Sequence, residues 1–292
     1  MSGTREDRDL LLNGMKAKKS LGQNFLKSEI ALRKIIEAGE IKSDDIILEI
    51  GPGRGALTEK LLEKAGQVIA VEKDRELFEF LQTKFEKEIA SNTLILVCAD
   101  ILEFNTRTYN LDTRTYKIIA NIPYNITGAI LRKFLSAKGG SASGGKKFLT
   151  VDHQPEMMVL MVQHEVARRI VARDKKESIL SISVKAYGEP KMIMKVNKRY
   201  FSPAPKVDSA IISIKNISRK LFTSPQPSPD KGEEGIINEE KFWEIVKTGF
   251  AHKRKKLSRN LKNICQRRAL TELGYKRAEN LTLAEWIELV KN

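Results

Sequence analysis

The chain has 292 residues, 41% of them hydrophobic, and its 52 Lys and Arg against 37 Asp and Glu give a formal charge of +15. That composition excludes a disordered protein, and the length suits two domains or one large domain with an appendage. Two distant cysteines, Cys98 and Cys265, exclude a disulfide-stapled scaffold, and no apolar run is long enough for a signal-peptide core or a membrane span, so a soluble cytoplasmic protein is expected.

In chain order, residues 1–19 are polar and basic and read as a flexible arm. Helical spacing runs from Ile30 to Ala38 behind Ser28, an N-cap residue. Short apolar runs then alternate with helical patterns. Strands are expected at Ile46–Ile50, Gln67–Glu72, Thr93–Cys98, Lys117–Ala120 and Met157–Gln163. Helices are expected at Ala56–Ala65, Asp74–Lys87 and Ile126–Leu135, with another starting at His164. This alternation predicts an α/β fold with a parallel sheet covered on both faces. Lys191–Val196 and Val207–Lys215 read as two further strands, close enough in sequence to pair antiparallel at an edge.

Two segments read as loops: the Gly/Ser-rich Lys138–Lys147 and the Pro-rich Ser218–Gly235. Beyond the second, only helices are expected, at Phe242–Phe250, Lys256–Arg268 and Leu283–Val290, with Thr282 and Glu285 spaced as a capping box. The predicted organisation is therefore an arm at 1–19, a ligand-binding sheet domain at 20–217, a linker at 218–235 and a helical domain at 236–292. The last carries 13 Lys and Arg against 7 Asp and Glu, concentrated in Lys253, Arg254, Lys255, Lys256 and Arg259. Such clustering favours a polyanionic partner, nucleic acid above all.

The chemistry gathers at the predicted strand ends. Glu49-Ile-Gly51-Pro-Gly53-Arg-Gly55-Ala follows a strand and opens a helix, where glycines let the backbone turn sharply and approach a ligand. The next strand ends at Glu72, beside Lys73, and an acid there can accept both hydroxyls of a ribose. The third is followed by Asp100-Ile101, an acceptor for an exocyclic amine beside an apolar cover for a ring, although Asp100 also suits an N-cap. A glycine loop and two acids in succession point to a nucleoside, in either NAD or S-adenosylmethionine.

The fourth strand leads into Asn121-Ile-Pro123-Tyr124, the motif that chooses between them. An adenine amine is a poor nucleophile because its lone pair is delocalised into the ring. The Asn121 side-chain oxygen and a backbone carbonyl beside Pro123 can accept both amine hydrogens, so that the nitrogen pyramidalises toward a methyl donor. Tyr124 offers a face for the extruded base. An Asn-x-Pro turn with a buried Tyr is the plainer alternative.

These motifs, with Lys18-Lys-Ser-Leu-Gly-Gln-Asn24-Phe-Leu26, Met161-Val-Gln-His-Glu-Val-Ala167, Phe201-Ser-Pro-Ala-Pro-Lys-Val-Asp-Ser209 and the basic Phe250–Leu261, resemble the ribosomal RNA adenine N6,N6-dimethyltransferases, and their small-subunit branch in particular. The resemblance runs from about residue 18 to the C-terminus. It implies a Rossmann-like class I methyltransferase domain with a smaller helical domain, S-adenosylmethionine as donor, and no metal. It further implies dimethylation of two adjacent adenosines in the 3′-terminal hairpin of 16S rRNA within the 30S subunit, by a monomer with a part in subunit assembly. Donor contacts are implied for Asn24, Leu26, Gly51, Gly53, Glu72, Lys73, Asp100, Ile101 and Asn121. The target base falls to Asn121, Pro123, Tyr124 and Phe201, although the residues alone favour core packing for Phe201. Three rivals remain: a large-subunit rRNA methyltransferase, a non-catalytic assembly factor on the same fold, and an NAD-dependent dehydrogenase suggested by the glycine loop alone.

Overall fold

The structure is a computed structural model that describes residues 17–136, 153–174, 176–222, 237–265 and 267–291. The Gly/Ser-rich 138–147 stretch, most of the Pro-rich 218–235 stretch and most of the N-terminal arm lie outside the described residues. In chain order the strands are β1 (Phe25–Leu26), β2 (Ile46–Ile50), β3 (Gln67–Glu72), β4 (Leu94–Cys98), β5 (Lys117–Asn121), β6 (Met157–Gln163), β7 (Glu189–Val196), β8 (Phe201–Ser202) and β9 (Ser209–Lys215). The helices are α1 (Glu29–Gly39), α2 (Ala56–Leu62), α3 (Arg75–Lys84), α4 (Glu86–Ala90), α5 (Thr127–Leu135), α6 (His164–Val171), α7 (Ile179–Lys185), α8 (Glu239–Gly249), α9 (Leu257–Asn260), α10 (Arg267–Leu273) and α11 (Leu283–Lys291).

Seven strands form one sheet in the order β4-β3-β2-β5-β6-β9-β7. The first five are parallel, and β9 runs antiparallel to β6. The sheet is therefore mixed at one edge, with β9 inserted between β6 and β7. Every residue of β2 is buried, as are the first six of β6, which is why these strands read as unbroken apolar runs rather than alternating ones. Burying each such Ile, Leu or Val contributes about 1.5–3 kcal/mol. The connections on the two sides of β2 lead in opposite directions, to β3 and to β5, which opens a crevice at the carboxyl ends of these strands.

Local signals set most boundaries. The Ser28 side chain accepts the Ala31 amide and starts α1, and Asp74 accepts the Glu76 amide and starts α3. The helix expected at Asp74–Lys87 is broken at Phe85, and that expected at Lys256–Arg268 resolves into α9 and α10. A two-residue antiparallel ladder, β1 with β8, was not foreseen.

The contacts divide the chain into two compact units. Residues up to Ala167 with Lys191–Lys215 form the sheet unit. Arg168–Pro190 groups with residues from Asn216 onward. In this second unit Glu177 and Tyr187 reach the C-terminal helices. The Glu177 amide donates to the Glu279 carbonyl at 2.7 Å, and the Tyr187 hydroxyl to Glu239 Oε1 at 2.6 Å. Fully buried Trp286 stacks on Phe250, and Thr282 with Glu285 forms the expected reciprocal cap of α11. No helix among the described residues is long and apolar enough to cross a membrane.

Candidate active site

The site starts where β2 ends. Gly51, Gly53 and Gly55 all have positive φ. At Gly53 a Cβ would sit 3.0 Å from the Phe25 ring, and at Gly55 it would sit 2.6 Å from the Phe85 ring, so conformation and space both demand glycine at these two positions. The loop is tied to β3 from two sides. The Gly51 amide donates to the Val71 carbonyl at 3.0 Å, and the Gly53 amide to Glu72 Oε2 at 3.1 Å. Glu72 Oε1 accepts the Asp74 amide at 2.9 Å. The Lys73 amide also acts on this carboxylate, whose roughly four lone-pair sites leave capacity for a further donor. Burial lifts the Glu72 carboxyl above its usual value, and these amides pull it part of the way back.

Asp100 follows β4. Its Oδ2 accepts from Lys73 Nζ at 2.8 Å and its Oδ1 from the Leu102 amide at 2.9 Å. Burial raises this carboxyl, but Lys73 and the amide outweigh burial and hold it below the ordinary range. Buried Ile101 stands beside it.

Asn121 is the last residue of β5, level with Met161 of β6. Its Nδ2 donates to the Asn24 carbonyl at 3.1 Å. With the NH2 turned to that wall, Oδ1 is the acceptor left for a ligand. The Pro123 carbonyl accepts the Ile126 amide at 3.3 Å, while the Ile122 carbonyl, one residue earlier, takes no backbone donor among the described residues. Ile122 is therefore the carbonyl beside Pro123 that can act as second acceptor. The Tyr124 hydroxyl bonds the Ser209 hydroxyl, which fixes its ring from the far strand.

Residues 18–27 close the remaining side. Asp74 is the clasp: its Oδ1 accepts from Lys18 Nζ at 2.8 Å and its Oδ2 from Gln23 Nε2 at 2.7 Å. Leu26 pairs with Phe201, and a Cβ on Gly22 would lie 3.3 Å from Asn125 Oδ1, so this wall packs on the Asn-Ile-Pro-Tyr turn itself.

The result is one cavity of about 300 Å³. It is bordered by Asn24, Leu26, Gly51, Gly53, Glu72 and Lys73, and by Asp100, Ile101, Asn121, Pro123 and Tyr124. Phe201 stands apart. It is buried in the apolar core with Leu26 and Val196 and does not border the cavity. Lys253, Arg254, Lys255 and Lys256 are exposed in the turn after α8, and Arg259 is exposed on α9, all within the second unit. The Asn260 side chain bonds the Gly249 and His252 carbonyls and holds that turn. Sequence reasoning gave no role to Gln23, Asp74, Ser209 or Thr58. Glu49, quoted only as part of the glycine loop, is 1% exposed behind it and accepts the Thr58 hydroxyl at 2.7 Å.

The donor set fits S-adenosylmethionine. Glu72 retains acceptor capacity for a ribose hydroxyl, Asp100 and Ile101 pair an acceptor with an apolar cover, and Gly51 and Gly53 put bare backbone against the cavity between them. The sheet order and this site together define a Rossmann-like class I methyltransferase that uses S-adenosylmethionine as methyl donor. The chain belongs to the ribosomal RNA adenine dimethylase family, which it matches over residues 14–291.

Similar proteins include the ribosomal RNA small subunit methyltransferase A of Dehalococcoides mccartyi strain CBDB1, 38% identical over 284 residues, covering 94% of this chain and 88% of that protein. The protein of the same name from Fusobacterium nucleatum subsp. nucleatum is 38% identical over 290 residues, covering 94% and 97%. Among solved structures, a dimethyladenosine transferase from Plasmodium falciparum is 26% identical with a TM-score of 0.70, covering 91% of this chain and 95% of that one. The 23S rRNA methyltransferase ErmE is 26% identical with a TM-score of 0.66, covering 92% and 98%.

Proposed function

We propose that this protein dimethylates N6 of two adjacent adenosines in the 3′-terminal hairpin of 16S rRNA, acting on the 30S subunit as a monomer. The observation that carries the chemistry is the acceptor pair at the end of β5: Asn121 Oδ1, oriented by the Asn24 carbonyl, and the backbone carbonyl of Ile122. The large-subunit alternative shares the fold, as the likeness to ErmE illustrates, so fold alone does not separate the branches. The small-subunit reading is supported by relatives of that name at 38% identity over nearly the whole chain.

S-adenosylmethionine, when bound, supplies a methyl group activated by a sulfonium. The chain's own residues do the rest. Asn121 and the Ile122 carbonyl accept the two N6 hydrogens of the target adenine, which returns its lone pair to the nitrogen. Tyr124, held by Ser209, offers its ring to the extruded base. The wall of residues 18–27 excludes water and fixes Asn121. Among the described residues the acids that border the cavity, Glu49, Glu72 and Asp100, are each engaged by other groups, and no base is required, because the nitrogen's surplus proton is acidic once the new bond has formed and passes to solvent. Catalysis is thus positioning and polarisation. Exposed Lys253, Arg254, Lys255, Lys256 and Arg259 hold rRNA phosphates without reading bases.

The test is transfer of labelled methyl to 30S particles that lack the modification, with 50S RNA alongside. N6,N6-dimethyladenosine near the 16S 3′ end is the expected product. Asn121→Ala is expected to lower transfer at least a hundredfold while S-adenosylhomocysteine still binds. Label entering 50S RNA instead would move the protein to the other branch.

A further inference from the structure

The sheet unit carries a second groove, of about 360 Å³, bordered by His164, Glu165, Lys198, Lys206, Val207 and Asp208. No part of the donor site uses it. Its position is set by the end of the sheet. His164 follows Gln163, which is level with Ser209 in the antiparallel pair β6–β9, and the His164 amide donates to the Asp208 carbonyl at 2.9 Å. Ser209 is the residue whose hydroxyl holds Tyr124. The groove therefore begins one residue from the group that fixes the stacking ring of the target-base pocket.

Its charge is selective. Residues 191–208 hold five Lys and Arg against a single acid, Asp208. Asp208 is already engaged, with Oδ2 paired to Lys195 Nζ at 2.9 Å and Oδ1 accepting the Lys198 amide at 3.0 Å. The exposed ammonium groups of Lys198 and Lys206 have no ion-pair partner among the described residues. Glu165 is the one acid of the groove without such a partner. Val207 in the groove is an exposed apolar side chain, at 46%, and Tyr200, two residues after Lys198 in the chain, is 36% exposed with the Arg199 guanidinium 5.0 Å from its ring centre. The Tyr200 carbonyl accepts the amide of Lys27, another exposed lysine at the edge of the donor cavity. Two uncompensated cations, a hydroxyl acceptor and a cation-backed ring suit one strand of ribose-phosphate rather than an acidic protein surface.

We propose that this groove is a second RNA site, on the catalytic unit itself, in which Lys198 and Lys206 hold the phosphodiester backbone that flanks the target adenosine and Glu165 accepts a ribose 2′-hydroxyl. The proposal rests on the reading of the Asn121 pocket as the target-base pocket. Ser209 holds Tyr124 and the groove begins at the neighbouring Asp208, so a backbone that leaves the target-base pocket on this side meets the groove.

The test compares wild type with Lys198→Ala/Lys206→Ala and with Lys198→Arg/Lys206→Arg. Binding to the 30S substrate is measured across a salt series, with S-adenosylhomocysteine binding and steady-state methyl transfer in parallel. Loss of two phosphate contacts is expected to reduce the slope of log affinity against log salt by about 1.4 to 1.8. KM for the particle should rise, kcat and S-adenosylhomocysteine affinity should hold, and the arginine pair should restore the slope. An unchanged slope in the alanine pair, or a fall in kcat at constant KM, overturns the proposal. The salt slope is read from binding alone. A wild type that binds 30S particles but fails to methylate them would therefore refute the proposed activity and leave the groove to be judged on its own.

Discussion

Glu49 shows how much a single residue conceals in sequence. Its position in the glycine loop reads as backbone furniture, yet burial pushes its carboxyl up to about 8, against which the Thr58 hydroxyl bond works only partly. The folded protein therefore keeps a proton on Glu49 that the unfolded chain releases near pH 4.5. The stability this proton supports is complete below that pH and is lost as pH rises toward about 8, with a slope of up to about 1.4 kcal/mol per unit. Glu49→Gln cannot ionise, so urea unfolding of that variant should lack this component of the slope between those limits. A variant that tracks wild type at every pH would refute the assignment. Lys133 is equally illegible. It lies on the helix after the Asn-Ile-Pro-Tyr turn and reads as a surface residue, but it is 1% exposed and donates to the Leu102 and Phe104 carbonyls at 3.1 and 2.6 Å. Its partners are some 30 residues away in sequence, so no local pattern could announce them. Asn121 and Glu72 were legible because each closes a strand whose apolar run marks its own end, and Asp100 because it stands two residues beyond such a run.

At the scale of elements, apolar runs gave β2, β3, β5 and β6 almost to the residue, since a strand buried on both faces leaves a continuous signature. Elements set by distant packing were not legible. Helical periodicity carries through Phe85, but the helix breaks there with φ −114° and ψ 32°, and the Phe85 ring sits in the space that glycine leaves bare at position 55. β1 and β8 are two residues each, too short for any period to register. The break at Phe85 makes a prediction. Gly55→Ala meets both a φ of +78° and a ring 2.6 Å away, so it should destabilise the protein by about 1–3 kcal/mol and weaken S-adenosylhomocysteine binding. Thermal shift with and without that ligand measures both effects. An unshifted midpoint would show that the ring yields freely.

For the whole molecule, the composition announced two parts, but the seam is not a single point in the sequence. Residues 168–190 leave the sheet unit and return to it at Lys191, because Tyr187 and Glu177 find their hydrogen-bond partners on C-terminal helices. Hydrophobic periodicity cannot report which of two cores a helix joins. The charge also divides by unit, and this yields a separable prediction. Replacing Lys253, Arg254, Lys255 and Lys256 with Ala should reduce the salt slope of rRNA binding by about 3 while leaving S-adenosylhomocysteine affinity intact, since the donor cavity is built from the other unit. Calorimetry and a binding titration at several salt concentrations would separate the two, and a lost donor affinity would contradict the division.

The short ladder between Phe25–Leu26 and Phe201–Ser202 fixes when this protein can become competent. The cavity wall that carries Asn24 and Leu26 is synthesised some 175 residues before its partner strand. At about 5–20 residues per second, the wall waits roughly 10–35 seconds for the strand that pins it. The glycine loop, Glu72, Asp100 and Asn121 are all made within that interval. Donor binding thus matures only after β8 has been made, late in the synthesis of the sheet unit and not in the order in which its cavity residues are numbered.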